Sequence, residues 1–239
     1  DLSTVLTEAT YSAQIDKLST LAAGAGAGPF DPITQNIFFS VLQSVIANRS
    51  NLTAAAIITG KLSNKLFTFL NTLQMTLLLS TTQQATISTK RGVIEVEKNI
   101  EDVPALADFN AKLDKLISIV ALARGRTLDP ITIILFNAVL RDLFDNRPRQ
   151  TLDLLVKFRD TLTNTISPSN LVDATQRAYI TGTMIPALNA DILALQRFDL
   201  IMAPATNTTP IPQLANSTRL NEMGKLLTEN IGTTLNPDL

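Results

Sequence analysis

The chain contains no histidine and no cysteine. The first absence removes the commonest general base and the commonest transition-metal ligand. A Ser-His-Asp triad, a 2-His-1-carboxylate iron site and a His-ligated zinc are therefore all excluded. The second removes disulfides, thiolate nucleophiles and Cys-ligated metals. Tryptophan is also missing and aromatic residues make up 5% of the chain, so platforms for stacking bases are scarce. Charge is in short supply too, at 17% against about 25% in an average domain. With a net charge of −1 there is no basic face to neutralise a run of phosphates, and nucleic acid is not an expected partner. The deficit is uneven: residues 1–89 hold only Asp1, Glu8, Asp16, Lys17, Asp31, Arg49, Lys61 and Lys65. The richest apolar stretch, "LFTFLNTLQMTLLL" (66–79), is interrupted by Thr68, Asn71, Thr72, Gln74 and Thr76. No segment reaches 18 uninterrupted apolar residues, and no transmembrane segment is expected in the chain.

What remains is apolar and neutral-polar. Hydrophobic residues reach 45% of the 239, mean hydropathy is +0.19, and Thr, Ser, Asn and Gln carry most of the surface polarity. A chain of this length can bury one large core or two smaller ones. It starts at Asp1 without Met, as a processed mature form or a fragment would.

The strongest pattern is internal. "AQIDKLSTLAAGAGAGPFDPITQNIFFSVLQSVIANR" (13–49) lies over "AKLDKLISIVALARGRTLDPITIILFNAVLRDLFDNR" (111–147) without a gap, and 15 of 37 positions are identical. "TQQATIS" (82–88) then matches "TQRAYIT" (175–181) at a shift of 93 in place of 98. Self-similarity at a fixed period is the signature of a repeat architecture. The expectation is a tandem duplication of a roughly 98-residue helical bundle: copy one over 1–100, copy two over 101–203, and a tail over 204–239. "IPQLANSTRLNEMGKLL" (211–227) resembles the start of a third copy.

Each copy reads as four to five helices, and the fold class as all-α. In 31–48 the apolar residues Ile33, Ile37, Phe38, Val41, Leu42, Val45 and Ile46 form a helical stripe, matched by Ile131, Leu135, Phe136, Val139, Leu140, Leu143 and Phe144. Asp31 and Asp129 stand where an N-cap belongs, each followed by Pro at the first helical position. Asn48-Arg49 and Asn146-Arg147 close these helices, with Arg suited to the negative dipole end. Further helices are predicted near 3–23, 52–79, 81–99, 103–122, 149–165, 169–184, 187–203 and 213–231. Pro186 should break or kink its element. No segment alternates with the period of a strand.

Sites are harder to find. "GAGAGP" (24–29) is not a phosphate loop, because Pro29 replaces the needed glycine and no GK[ST] follows. Asp16-Lys17 and Asp114-Lys115 are neighbours in sequence, which on a helix do not face each other; they read as solvated or inter-helix contacts. Glu95, Glu97, Glu101 and Asp102 lack the spacing of a calcium loop and read as a solvated helix face. Asp142, Asp145, Asp153 and Asp160 could supply paired carboxylates, but nothing in their surroundings marks out a pair. No cofactor, metal site or catalytic residue is predicted, and the chain is not expected to be an enzyme. Glycosylation sequons occur at Asn48, Asn51, Asn207 and Asn216, the number that composition alone would supply. Their positions fit a secreted, extracellular glycoprotein.

The apolar excess carries the functional expectation. Helices apolar nearly all round are buried on several sides or line a cavity. Phe38, Leu42, Phe67, Leu70, Leu77, Phe136, Leu140 and Phe144 are the candidate lining. Aliphatic walls with few aromatics suit a fatty acid, isoprenoid or pigment-like molecule held in the bundle interior. The alternatives are a structural or surface-active protein that assembles with itself, and a protein-interaction module.

Overall fold

A computed structural model describes residues 1–25 and 29–202, with side chains through Arg197. Among these residues the chain is all-α and contains no strand. The helices are α1 (Tyr11–Gly24), α2 (Pro32–Asn48), α3 (Ala54–Gly60), α4 (Leu62–Gln74), α5 (Thr81–Asp102), α6 (Phe109–Ala123), α7 (Pro130–Asp145), α8 (Leu152–Thr161), α9 (Ala174–Tyr179) and α10 (Ile185–Met202). The predicted helix over 213–231 and the suspected third copy lie outside the described residues.

Local chemistry sets most helix starts. Thr10, Asp31, Thr53, Ser80 and Asp108 accept backbone N–H bonds at the beginnings of α1, α2, α3, α5 and α6. At α5 the arrangement is a reciprocal capping box: Ser80 Oγ accepts from Gln83 N, and Gln83 Oε1 accepts from Ser80 N. The helix expected from residue 3 starts at Tyr11 instead, because Thr10 caps there and residues 2–4 form only a single 3₁₀ turn. The helix expected over 52–79 is two. Lys61 adopts a left-handed conformation, φ +51°, which closes α3 at Gly60 and restarts the chain as α4.

Two compact units result. Of the described residues, the first comprises Asp1–Arg141 with Ser169–Asp173; the second comprises Asp142–Pro168 with 174–202. In the first, α4 packs along α5, and α1 and α2 close over them. The core holds Ile15, Leu18, Phe38, Leu42, Leu66, Leu70, Ile87 and Ile94. α6 and the start of α7 belong to this unit through polar ties to α5. Lys115 Nζ donates to Asn99 Oδ1 at 2.6 Å, Arg126 reaches the Gly92 carbonyl and the Glu95 carboxylate, and Thr132 Oγ1 donates to Glu97 Oε1 at 2.6 Å. The absence of a side chain at Gly92 makes room for Arg126: a Cβ there would stand 2.5 Å from its Nη1.

In the second unit α8 packs on α10. Two helices here contain a π turn, Leu162–Ile166 after α8 and Ile180–Met184 between α9 and α10. Each ends two residues before a proline, Pro168 and Pro186, and the residue before each proline donates its N–H five residues back. At Pro186, where a break or a kink was expected, the helix is not broken. Proline lacks an N–H and its ring crowds the carbonyl four residues earlier, which in an α-helix ends or kinks the element. The wider π turn relieves that crowding, so the helix runs uninterrupted from Ala174.

The helix over Ala174–Arg197 has the length of a membrane span, and its most apolar 18-residue window has a mean hydropathy of 1.2 and is 22% buried. A buried helix of a water-soluble protein passes the same test of length and composition.

Candidate functional site

None of the predicted lining residues borders either of the two pockets described below. Phe38, Leu42 and Leu70 are packed in the core of the first unit, while Phe136 and Leu140 are fully buried on α7 and Phe144 nearly so. Phe67 is half-buried, with Arg91 and Lys98 at 5.8 and 5.7 Å from its ring centroid. Leu77 is 67% exposed, because the chain between α4 and α5 turns Leu78 and Leu79 inward in its place. Asn51 is exposed on the turn after α2 and Asn48 is half-buried at its end; Asn207 and Asn216 lie outside the described residues.

The first unit instead presents an open cleft of about 720 Å³ between α1 and α4. Its floor is Ile15, Phe69 and Leu73, all nearly or fully buried. One end is charged: Lys65 Nζ donates to Asp16 Oδ2 and to Ser12 Oγ, both at 2.6 Å, with Asn64 and Lys61 alongside. The other end, at Ala22, Ala23 and Thr76, carries no charge. Thr68 and Thr72 stand one above the other on α4, and Thr76 follows just past its end. All three hydroxyls donate to backbone carbonyls of their own chain, at 2.9, 3.1 and 2.7 Å. They therefore offer the cleft methyl groups and acceptor lone pairs, not donors. Asp16 and Lys17, read as solvated or inter-helix contacts, separate into two pairs, Asp16 with Lys65 between α1 and α4 and Lys17 with Glu8.

A second feature is buried and ionic. Glu97 and Glu101, expected on a solvated face, are both fully buried on α5. Burial of a carboxylate is tolerated only with partners, and each has them. Glu97 accepts from Arg49 Nε at 3.1 and 3.3 Å, from Thr132 Oγ1 at 2.6 Å and from Ser63 Oγ at 3.5 Å. Glu101 accepts from Ser63 N at 2.6 Å and Asn64 N at 3.0 Å. It thus caps α4 from another helix, where Lys61 offers no side-chain cap. Burial pushes the Glu101 carboxyl above its ordinary value, opposed by those N–H groups.

Arg49 joins this group to the second Asp-Pro-Ile-Thr segment. Its Nη2 donates to Asp129 Oδ2, and Lys90 approaches the same carboxylate at 3.4 Å. Burial disfavours its charge, but the carboxylates of Glu97 and Asp129 outweigh this and hold the guanidinium above its usual value. The Tyr11 phenol is pushed up by burial and has no hydrogen-bond partner. A pocket of about 360 Å³ opens beside Arg49, Lys90 and Asp129. Asp129 therefore pairs across the fold, whereas Asp31 caps its own helix as predicted.

The second unit carries a related clamp. Arg147 Nε donates to Asp191 Oδ2 at 2.8 Å and its Nη1 to the Phe144 carbonyl at 3.1 Å. Arg49 makes the same two kinds of bond, Nε to Glu97 and Nη1 to the Ile46 carbonyl. Both arginines serve a carbonyl of the last helical turn, as the dipole argument expects. Among the described residues no three carboxylates gather into a metal site. Of these groups Asp129 and Thr132 stood in the repeated Asp-Pro-Ile-Thr segment, read there as a helix start; Arg49 was legible only as a helix end, and Glu97 only as one of four acids on α5.

No protein-family model, curated protein or solved structure matches the chain.

Proposed function

We propose that the chain is a secreted, non-enzymatic helical protein that binds an apolar small molecule, with the α1–α4 cleft as its site. The observation that carries the reading is the lining, which grades from charged at Asp16 and Lys65 to uncharged at Ala22 and Thr76 over an apolar floor. The volume, about 720 Å³, falls in the range of ligand pockets, roughly 300–1,000 Å³. This moves the ligand from the bundle interior, whose positions are taken by packed side chains, to a groove on its surface. The test is displacement of a neutral environment-sensitive fluorophore by dodecanol. Ala22→Phe and Thr72→Phe fill the groove and should weaken binding by about tenfold or more, with the unfolding midpoint retained. Unchanged binding in both variants would remove the cleft from consideration.

Assembly with itself is the second reading, favoured by Ile33, Ile37 and Met75, which are 72%, 49% and 90% exposed. A concentration-independent monomer in light scattering would count against it.

We also propose that the two halves descend from one duplicated bundle. Buried Gln83 and Ile87 on α5 answer to buried Gln176 and Ile180 at a shift of 93. Beyond the π turn, buried Ile94 and the clamp acid Glu97 answer to Leu188 and Asp191 at a shift of 94. A π turn is the form a one-residue insertion takes within a helix, and it accounts for the change of register. Deleting Thr181 or Gly182 should convert the segment to plain α-helix with the Arg147–Asp191 pair kept, as a crystal structure of the deletion variant would show.

A further inference from the structure

We infer that the α1–α4 cleft takes a free long-chain carboxylate, its head group at the Lys65 end and its chain along Phe69 and Leu73; this rests on the binding reading above. Three observations point the same way. Charged lining residues are two cations, Lys61 and Lys65, against one carboxylate, Asp16, all at one end, where Lys61 Nζ already donates to the Glu101 carbonyl and stands 3.4 Å from Asp102 Oδ1. An ammonium has three protons, and Lys65 spends two, on Ser12 Oγ and Asp16 Oδ2. Its side chain is 32% exposed, so the third is within reach of a bound group. Beyond that end the lining side-chain donors are the Ser19 hydroxyl, one turn along α1 from Asp16, and the threonine hydroxyls of the α4 wall. The threonine hydroxyls along the wall already donate to backbone carbonyls. A ligand needing donors for its oxygens finds them at the Lys65 end and finds methyl groups farther on.

From Lys65 to Leu73 the wall is about 12 Å of helix axis. A chain of a dozen carbons can lie along it and leave the head beside the ammonium. Asp16, 63% exposed, is the competitor already in place, since a carboxylate ligand would share Lys65 with it.

The test compares dodecanoate with dodecanol and methyl dodecanoate, by displacement of the neutral fluorophore at pH 8. Dodecanoate should bind at least about tenfold more tightly than either neutral chain. Lys65→Gln should abolish that preference, bringing dodecanoate down to the affinity of dodecanol. Asp16→Asn should act in the opposite direction and tighten dodecanoate binding, which a merely destabilised variant would not do. Equal affinity for all three chains, or a preference surviving Lys65→Gln, would overturn the carboxylate inference while leaving the cleft in place. Failure of every chain to bind would overturn the binding reading itself.

Discussion

The segment Asp-Pro-Ile-Thr occurs twice and does two different things. At residues 31–34 it is self-contained. The Asp31 carboxylate accepts from Ile33 N at 3.0 Å, Thr34 N at 3.1 Å and Thr34 Oγ1, and it stays in solvent. At residues 129–132 the same four side chains turn away from one another. Asp129 pairs with Arg49 and Lys90, and Thr132, fully buried, donates to Glu97. Identical local sequence offers the same cap in both places. What differs is the neighbourhood: a buried carboxylate on α5 and a buried guanidinium at the end of α2 stand beside the second copy. An unmet buried charge costs more than an unmade cap, so the second copy serves the charge.

The difference can be broken most forcefully at Arg49. Arg49→Met leaves Glu97 buried without its cation and should cost about 3–5 kcal/mol, read from the urea midpoint. Arg147→Met removes the corresponding clamp, whose Asp191 is 35% exposed. There the loss should stay below about 1 kcal/mol, as for other solvent-screened pairs. Equal losses at the two arginines would dissolve the distinction between a buried and a screened clamp.

The threonines give the next largest effect. Thr132→Val keeps the shape and withdraws a donor from a buried carboxylate, costing about 1–3 kcal/mol. Thr34→Val at the exposed cap should fall within about 0.5 kcal/mol of wild type. Reversed magnitudes would show that the cap, not the buried network, is the part the fold depends on.

The smallest effect is in the acid titration, and its sign separates exposed from buried carboxylates. The Thr34 hydroxyl, with the Thr34 and Ile33 N–H groups, holds the Asp31 carboxyl below its ordinary value. Its contribution to stability is therefore present above the ordinary carboxylate range and is lost as pH falls through the lowered value. Glu101 is shifted upward by burial. The folded state then binds its proton more readily, and the contribution declines as pH rises from the ordinary range to the raised value. Asp31→Asn should flatten the acid limb of stability against pH, and Glu101→Gln should flatten a component of opposite slope at higher pH.

Legibility followed the range of the interactions. The cap at Asp31 and the arginines that bond a carbonyl of the last helical turn have partners within four residues, and they were readable; in the apolar stripe of 31–48, Phe38, Leu42, Val45 and Ile46 are buried, but Ile33 and Ile37 are exposed. Glu97 and Glu101 were not, because a carboxylate on a helix looks the same whether water or Arg49 faces it. Leu77 misled for the mirror reason: an apolar residue in a loop is buried only if the loop turns that way, and here Leu78 and Leu79 turn in. Lys61 carried no breaker signal, yet its left-handed backbone divides α3 from α4. At Pro186 the rule for α-helices was sound but its premise failed, because a π turn offers the ring more room.

By itself, then, the sequence determined the all-α class, most helix starts, and the absence of any chemistry that needs imidazole or thiol. These follow from residue inventory and from hydrogen bonds that close within a turn. The tertiary structure alone decided which carboxylates are buried, which Asp-Pro-Ile-Thr caps and which clamps, and where a cleft opens. Those outcomes depend on partners such as Arg49 and Asp129, 80 residues apart in the chain, and contacts that distant exist only after the helices have packed.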